Sequence, residues 1–316
     1  MSIRAARRSR RFLTAIAVGG LAAGLCAAAT GPVAAATTSK ISSAATTPAA
    51  PATRSAAALA AARTAMEHLK VGLDGTDHRL PSTALPAIDH RLASPAPSIS
   101  NTTDIYSGGW SGWADDNSQG NSYTQVSGSW TEPAVICGST FSIVSFWVGL
   151  DGLNNDAVEQ AGTTAECYEG AAYYYTWWQM YPTIPDEQLV GDTVSPGDSI
   201  YAQVVDVGGG NYALQVADYS NPADSFYTVQ SCASGCADAS AEWIAEAPGG
   251  LFGTLPLADY QSWSLTGATV TSGYQGNITS FPDDYILMQN PSTGDILSFP
   301  SWTAGSDFIT YWGNST

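Results

Sequence analysis

The sequence predicts an all-β fold for residues 101–316, an antiparallel β-sandwich of the jelly-roll type. From residue 105 onward, short runs of Val, Ile, Tyr, Trp and Thr alternate with clusters of Gly, Asn, Asp, Pro and Ser, which is typical of strands joined by tight turns. Almost no ten-residue stretch there has the apolar spacing of a helix. A region of this length with only short strands favours one sandwich over two domains.

The N-terminal third of the chain has a different composition. Residues 1–36 have five arginines before a short apolar run and then alanine-rich cleavage candidates, which predicts a signal peptide and a secreted, extracellular protein. The apolar run is short for a membrane span. Residues 37–100 are rich in Ala, Ser, Thr and Pro, with an amphipathic helix predicted over 56–71. We interpret this segment as a propeptide, and a disordered stalk is the alternative.

Charge is divided unevenly between these regions. All 11 Lys and Arg residues and all 3 His residues precede residue 92, whereas 24 of the 28 acidic residues lie in 101–316. The domain therefore lacks the side chains for a Ser-His-Asp triad, a Schiff base or a His-bound zinc ion, and we expect no cofactor and no metal. Nucleic acid and anionic membranes would be repelled. This balance is typical of an acid-adapted domain, because carboxylates lose their mutual repulsion when protonated.

The predicted propeptide has the opposite charge. Residues 37–100 contain six Lys or Arg residues and three His residues but only four acidic residues. We expect this segment to lie across an acidic surface of the domain and to inhibit it at neutral pH.

Four cysteines fall within the predicted domain. In an exported protein an even number of cysteines indicates disulfides. The short spacing of Cys232 and Cys236 predicts a local pair, which leaves Cys137 to pair with Cys167. Metal binding is the weaker alternative.

Residues 240–248 (Ser-Ala-Glu-Trp-Ile-Ala-Glu-Ala-Pro) predict a strand with an unusual pattern. Alternation places Glu242, Ile244 and Glu246 on one face, with Trp243 and Ala245 on the other. Two carboxylates on one face are expected of an edge or solvent-facing strand, or of a strand that carries chemistry.

Three further stretches contain candidate functional residues. Residues 146–152 read Phe-Trp-Val-Gly-Leu-Asp-Gly, and residues 157–163 read Ala-Val-Glu-Gln-Ala-Gly-Thr. Residues 168–181 contain seven Tyr or Trp residues, which would suit either a packed core or a substrate groove. Asp151 and the Asx residues after it could form a calcium loop, but their spacing matches no EF-hand and such turns are common.

Together, the order and spacing of these motifs across residues 107–312 resemble the glutamic peptidases, the eqolisins. Trp-Val-Gly-Leu-Asp-Gly, Glu-Gln-Ala-Gly-Thr, an aromatic run ending in Met-Tyr-Pro and Ala-Glu-Trp-Ile-Ala-Glu follow one another as in that family, and Gly-Trp-Ser-Gly at 109–112 matches the start of its mature domain. The resemblance implies a concanavalin A-like sandwich of two antiparallel sheets, with the active site on a concave face. It also implies an acid endopeptidase that acts on polypeptides.

By motif position, the resemblance implies a catalytic pair of Gln160 and Glu246. Trp110 and Trp147 correspond to tryptophans beside the site, and Asp151 corresponds to the aspartate of its turn. These three residues, with Trp177, Gln179 and Tyr181 of the aromatic run, are the predicted substrate-binding residues. One position departs from the family pattern, since Gln179 stands where a glutamate is expected.

Peptide hydrolysis could proceed with these two catalytic groups alone. A carboxylate can take a proton from water and later deliver it to the leaving nitrogen. An uncharged amide N–H can stabilise the oxyanion at any pH, and one such donor contributes on the order of 3 kcal/mol. We expect the protein to be a monomer, made as a proenzyme, that hydrolyses peptides with these two groups.

Two non-peptidase hypotheses were also considered. A jelly-roll glycosidase could use Glu246 with Glu242 or Glu159, but residues four apart on a strand are about 13 Å apart, wider than glycosidases use. A carbohydrate-binding module would explain the aromatic run but not a basic prosegment. An aspartic protease is disfavoured because the domain contains no Asp-Thr-Gly or Asp-Ser-Gly.

Overall fold

The computed structural model describes residues 102–250, 253–303 and 305–315. The predicted signal peptide, the predicted propeptide with its helix over 56–71, and residue 101 at the predicted domain boundary lie outside the described residues.

The described part of the chain is built almost entirely of β-strands, as the sequence predicts. Its only helical segments are two 3₁₀ turns, Pro222–Asp224 and Ile278–Ser280. Accordingly, no helix among the described residues has the length and apolarity needed to cross a membrane. The strands are β1 (Thr103–Ser107), β2 (Trp110–Asp116), β3 (Gln125–Thr131), β4 (Ser142–Leu150), β5 (Val158–Tyr168), β6 (Ala171–Tyr181), β7 (Ile184–Leu189), β8 (Ser199–Gly208), β9 (Asn211–Asp218), β10 (Phe226–Ser231), β11 (Ser240–Glu246), β12 (Gly249–Gly250), β13 (Gly253–Thr254), β14 (Ser262–Ser272), β15 (Tyr274–Gly276), β16 (Asp283–Gln289), β17 (Ile296–Pro300) and β18 (Phe308–Trp312).

The strands form a two-layered sandwich, which confirms the predicted fold class. One layer has the order β10-β9-β8-β3-β14-β18, and the other has the order β16-β2-β11-β4-β5-β6-β7. Strand β17 pairs with both β16 and β18 and so joins the layers at one side. The neighbours along this path are antiparallel, and β1 adds a parallel strand against β16.

The main core lies between the two layers. Large side chains from both layers interlock there, as when Phe146 of β4 stacks on Trp263 of β14 with ring centroids 5.2 Å apart. Trp243 of β11 donates its indole N–H to the Ser127 carbonyl of β3, at 2.9 Å. Each fully buried large side chain contributes about 1.5–3 kcal/mol to folding, so this layer of aromatics supplies much of the stability.

Strand β11 is central in its layer rather than an edge strand. It pairs with β2 on one side and β4 on the other, and all seven of its residues are buried. Trp243 and Ala245 join the main core, whereas Ile244 packs in a separate cluster on the opposite face. The predicted alternation is therefore confirmed, and the edge or solvent-facing alternative is wrong.

Both predicted disulfides are present. Cys137 bonds to Cys167, and Cys232 bonds to Cys236. The first closes a separation of 30 residues and ties the segment before β4 to the end of β5. By the loop-entropy estimate a closure of that length is worth about 3–4 kcal/mol, whereas the four-residue closure mainly shapes its own loop.

A carboxyl group is buried in the core at Glu132, which is 1% exposed. Its Oε2 accepts hydrogen bonds from Thr163 Oγ1 at 2.6 Å and Trp130 Nε1 at 3.2 Å. Burial, reinforced by the carboxylates of Asp198 and Asp218, nevertheless raises the pKa of Glu132 to about 7. The group is therefore neutral in acid and still largely neutral in weakly acidic solution.

This buried acid makes stability depend on pH. The pKa of Glu132 is about 7 in the folded protein and 4.5 ordinarily. At pH values between these two, the native state therefore binds more protons than the unfolded state. The stability that Glu132 contributes is fully present at pH values below its ordinary pKa and is lost as the pH rises through its pKa in the folded protein. We expect the free energy of unfolding to fall by about 3 kcal/mol over this range because of Glu132 alone. Urea titrations at the lower and upper limits of this pH range measure the change in the free energy of unfolding.

The matched test compares Glu132→Gln with Glu169→Gln, a change at an exposed position. The pH dependence of Glu132→Gln should be smaller than that of the wild type by the share of Glu132, about 3 kcal/mol, whereas Glu169→Gln should keep the full dependence. An unfolding free energy that rises steadily across the range would contradict the assignment.

Candidate active site

The candidate site lies on the face of the second layer that points away from the main core, which we call the site face. The cluster on this face includes Trp110 of β2, Trp147 of β4, Trp177 of β6 and Ile244 of β11. Strand pairing brings these residues together from positions far apart in sequence, because β2, β11, β4, β5 and β6 are consecutive neighbours.

Glu246 is the last residue of β11 and points to the site face. It lies opposite Trp110 on β2 and Ser145 on β4. Its Oε2 accepts a hydrogen bond from Trp147 Nε1 at 2.7 Å, and the residue is 1% exposed. The Trp110 and Trp147 rings meet edge to face with centroids 5.1 Å apart, which fixes the indole that donates this bond.

Gln160 lies on β5, one strand beyond β4, and also points to the site face. It pairs with Gly149 of β4 and Gln179 of β6. Its Nε2 donates to Gln179 Oε1 at 2.6 Å, and Gln179 Nε2 donates to the Pro185 carbonyl at 2.5 Å. Both glutamines are buried. One N–H of the Gln160 amide thus donates to Gln179, and no group among the described residues accepts its second N–H.

Two glycines leave room for Trp147, Gly149 beside its ring and Gly162 beside its Cα and Cβ. A Cβ at Gly149 would lie 2.8 Å from the Trp147 ring and 3.3 Å from Gln160 Cβ. A Cβ at Gly162 would lie 2.7 Å from Trp147 Cβ. Both distances to Trp147 are shorter than side chains tolerate, so the glycines of the Val-Gly-Leu and Ala-Gly-Thr motifs are required by packing. The indole ring therefore lies against Gly149, the residue that pairs with Gln160, and its N–H donates a hydrogen bond to Glu246.

Asp151 anchors the segment that leads into β11. Its carboxylate accepts the backbone N–H groups of residues 237, 238 and 239 at 2.7–3.1 Å, together with Asn155 Nδ2 at 2.8 Å. The residue has a positive φ of 67° and is fully buried. These oxygens face N–H donors, so the contacts recorded for Asp151 position the strand that carries Glu246, and they do not form the calcium loop considered above.

The aromatic run divides between the two faces of β6. Tyr175 and Trp177 pack in the site-face cluster, whereas Tyr174 and Met180 belong to the main core. Tyr181, at the end of β6, is partly exposed. The run is thus both core and site wall, because alternate residues of a strand point to opposite faces.

Sequence reasoning missed buried acids near this layer. Burial raises the pKa of Glu166 to about 7 and, reinforced by Glu166, that of Glu187 to about 8. Glu166 is six residues after Gln160 on β5 and shares its face, so period-two counting could have found it. Glu187 carried no such signal. Glu242, which lies across Gly149 from Gln160, is buried with a raised pKa for the same reason.

One group of potential metal ligands occurs among the described residues, formed by Glu159, Cys232 and Cys236. Its two sulfur atoms are bonded to each other, so they cannot bind an ion as thiolates. The group therefore does not fit a metal site.

The Asp151 contacts predict a large loss of stability when this side chain is removed. We expect Asp151→Ala to lower the free energy of unfolding by about 3–5 kcal/mol, because buried N–H groups lose a charged acceptor. Chemical denaturation measures this change. Asp295→Ala is the control, since the exposed Asp295 accepts only from the Thr293 hydroxyl in the same turn, and it should cost less than about 1 kcal/mol. Equal losses in both variants would contradict the anchoring role.

Comparisons with known proteins identify the family and the fold. The sequence profile of the Peptidase A4 family matches residues 108–297. Aspergillopepsin-2 of Aspergillus niger is 28% identical over 232 residues, which cover 66% of this chain and 79% of that protein. A scytalido-glutamic peptidase solved with a peptide-based transition-state analogue superposes with a TM-score of 0.54 at 21% identity, over 65% of this chain and 98% of that chain.

A further solved structure, SCP-B of the eqolisin family in complex with the tripeptide Ala-Ile-His, has a TM-score of 0.51 at 19% identity over 65% of this chain and 98% of that chain. These structural likenesses confirm the fold, and the sequence profile, which spans more than half of the chain, decides the family. The chain belongs to the Peptidase A4 family, the eqolisins or glutamic peptidases, which are peptide hydrolases.

Proposed function

We propose that this chain is a secreted acid endopeptidase that hydrolyses polypeptides with Gln160 and Glu246. The observation that carries the proposal is the Trp147 indole between them, which donates to Glu246 and packs beside the strand position of Gln160. Family membership favours this function over the glycosidase and carbohydrate-binding alternatives.

The two side chains supply the chemistry in complementary steps. Glu246 takes a proton from a water molecule while the oxygen of that water attacks the peptide carbonyl carbon. The second N–H of Gln160 stabilises the oxyanion that forms. Glu246 then delivers its proton to the nitrogen as the C–N bond breaks. The products are a carboxylic acid and an amine, and Glu246 ends as the carboxylate with which it began.

Acid operation follows from what the site does and does not contain. No His, Lys or Arg follows residue 91, so the described residues contain no basic side chain whose charge could change in acid. Gln160 keeps the same donor at any pH. Glu246 must be ionised to act as a base, which sets the lower limit of activity. Buried acids such as Glu132 lower stability as pH rises, which sets the upper limit.

Substitution of either catalytic residue should abolish proteolysis without unfolding the protein. We expect Gln160→Ala to reduce kcat by about 10²–10³-fold through loss of one oxyanion donor, and Glu246→Gln to reduce it further through loss of the base. The assay follows cleavage of a denatured protein at about pH 3.5, with pepstatin present to silence aspartic proteases. Glu169→Gln, at an exposed position, is the control and should retain full activity.

Full activity in either catalytic variant would reject the pair. Absence of proteolysis by a folded wild type would reject the peptidase proposal, and polysaccharides would then be the substrates to assay.

We also infer that residues 37–100 form an inhibitory propeptide. The segment carries six Lys or Arg residues, whereas residues 101–316 carry 24 acidic residues, so the two attract each other when the carboxylates are ionised. Protonation of those carboxylates removes the attraction.

The isolated 37–100 peptide should therefore inhibit the mature monomer at about pH 6–7 and lose most of its potency at about pH 3.5. Inhibition constants measured at both pH values, with a scrambled peptide of equal charge as control, test this expectation. Lack of inhibition at neutral pH would contradict it.

A further inference from the structure

Gln179, where the resemblance to the family leads us to expect a glutamate, is the direct hydrogen-bond partner of Gln160. It lies on β6, opposite Gln160 in register, and is fully buried. Its two polar atoms make two different contacts, since Oε1 accepts from Gln160 Nε2 and Nε2 donates to the Pro185 carbonyl.

These contacts allow only one orientation of the Gln160 amide. A carbonyl oxygen can only accept, so the atom of Gln179 that faces Pro185 must be the NH₂ group. Gln179 Oε1 then faces Gln160 and can also only accept, so Gln160 must present its nitrogen rather than its oxygen. The Pro185 carbonyl thereby determines the orientation of both side-chain amides, because the position of its own oxygen is set by the backbone.

We propose that Gln179 is a positioning residue that holds the Gln160 amide with its N–H groups toward the oxyanion side, and that it does so at every working pH because an amide does not ionise. This inference rests on the proposed function of Gln160. Without the Gln179 acceptor the Gln160 amide could rotate by half a turn, and its oxygen would then meet the developing oxyanion with repulsion.

A glutamate at this position could do the same only while protonated. Its O–H would donate to the Pro185 carbonyl and its second oxygen would accept from Gln160 Nε2. Once ionised, it would place a carboxylate oxygen against the Pro185 carbonyl oxygen with no hydrogen between them. The Gln179 amide therefore removes a pH limit that a glutamate at this position would impose.

The surroundings would favour the protonated form of such a glutamate in acid. The titratable residues near Gln179 on β5, β6, β7 and β11 are all acids or phenols. No basic residue follows position 91. Burial would also oppose ionisation. The acids and phenols on these four strands that share the site face or lie on the adjoining β7 include Glu166, Tyr181, Asp186, Glu187, Glu242 and Glu246.

The test measures kcat and KM of the mature secreted protein, expressed as the full chain, across the pH range in which the wild type is active. Three variants are compared: Gln179→Glu, Gln179→Met and Gln188→Glu. Gln188→Glu is the matched control, because it adds the same charge to the same hairpin while the Gln188 amide donates only to the nearby Asp186 carbonyl. Melting temperatures recorded at each pH show where each variant is folded.

We expect Gln179→Glu to match the wild type within about twofold at about pH 3 and to fall at least about tenfold below it by about pH 6, in kcat rather than KM. Gln179→Met cannot ionise or accept from Gln160, so its kcat should be about tenfold lower at every pH. It keeps the inference testable if Gln179→Glu unfolds at the higher pH. Gln188→Glu should follow the wild type throughout.

A Gln179→Glu to wild-type ratio that stays constant with pH, or an unchanged kcat in Gln179→Met, would overturn the positioning role. Failure of the proposed function gives a different result, since Gln160→Ala would then retain activity. An inactive Gln160→Ala together with unaffected Gln179 variants would reject this inference alone.

Discussion

The hydrogen bond from Trp147 to Glu246 is the interaction on which the rest of the site depends. Glu246 is buried in the centre of a sheet, and the chain after residue 91 has no cation that could pair with it. A buried carboxylate needs hydrogen-bond donors. The Trp147 indole supplies one to Glu246, and Gly149 leaves room for the ring, since a Cβ there would lie 2.8 Å from it.

Burial governs the protonation of several other carboxyl groups in this domain. Carboxyl groups buried away from any positive charge, such as those of Glu132, Glu166 and Glu187, remain protonated into the neutral range. They behave as neutral polar groups in acid and become a source of instability above it. In the proposed mechanism catalysis and folding favour the same acid conditions, and Glu246 is the one buried acid that must be ionised.

In the mechanism that we propose, amide groups take roles that charged residues could otherwise fill. Gln160 offers an uncharged donor, Gln179 directs it, and the Pro185 carbonyl directs Gln179. A relay of this kind carries no titrating group, so its geometry does not change with pH. Asp151 supports the other half of the site by fixing residues 237–239, immediately before the strand that ends at Glu246.

The sequence by itself determined the β-sandwich, the two disulfides, the family and the two-faced pattern of residues 240–246, because alternation, turn residues and motif order are local properties of the chain. It did not reveal that β11 is central, that Trp147 holds Glu246, or that Gln179 faces both Gln160 and Pro185. Those facts depend on which strands are neighbours and in what register. Pairing joins residues as distant as 147 and 246, and the burial that raises the pKa of Glu132 exists only once both layers have closed over it.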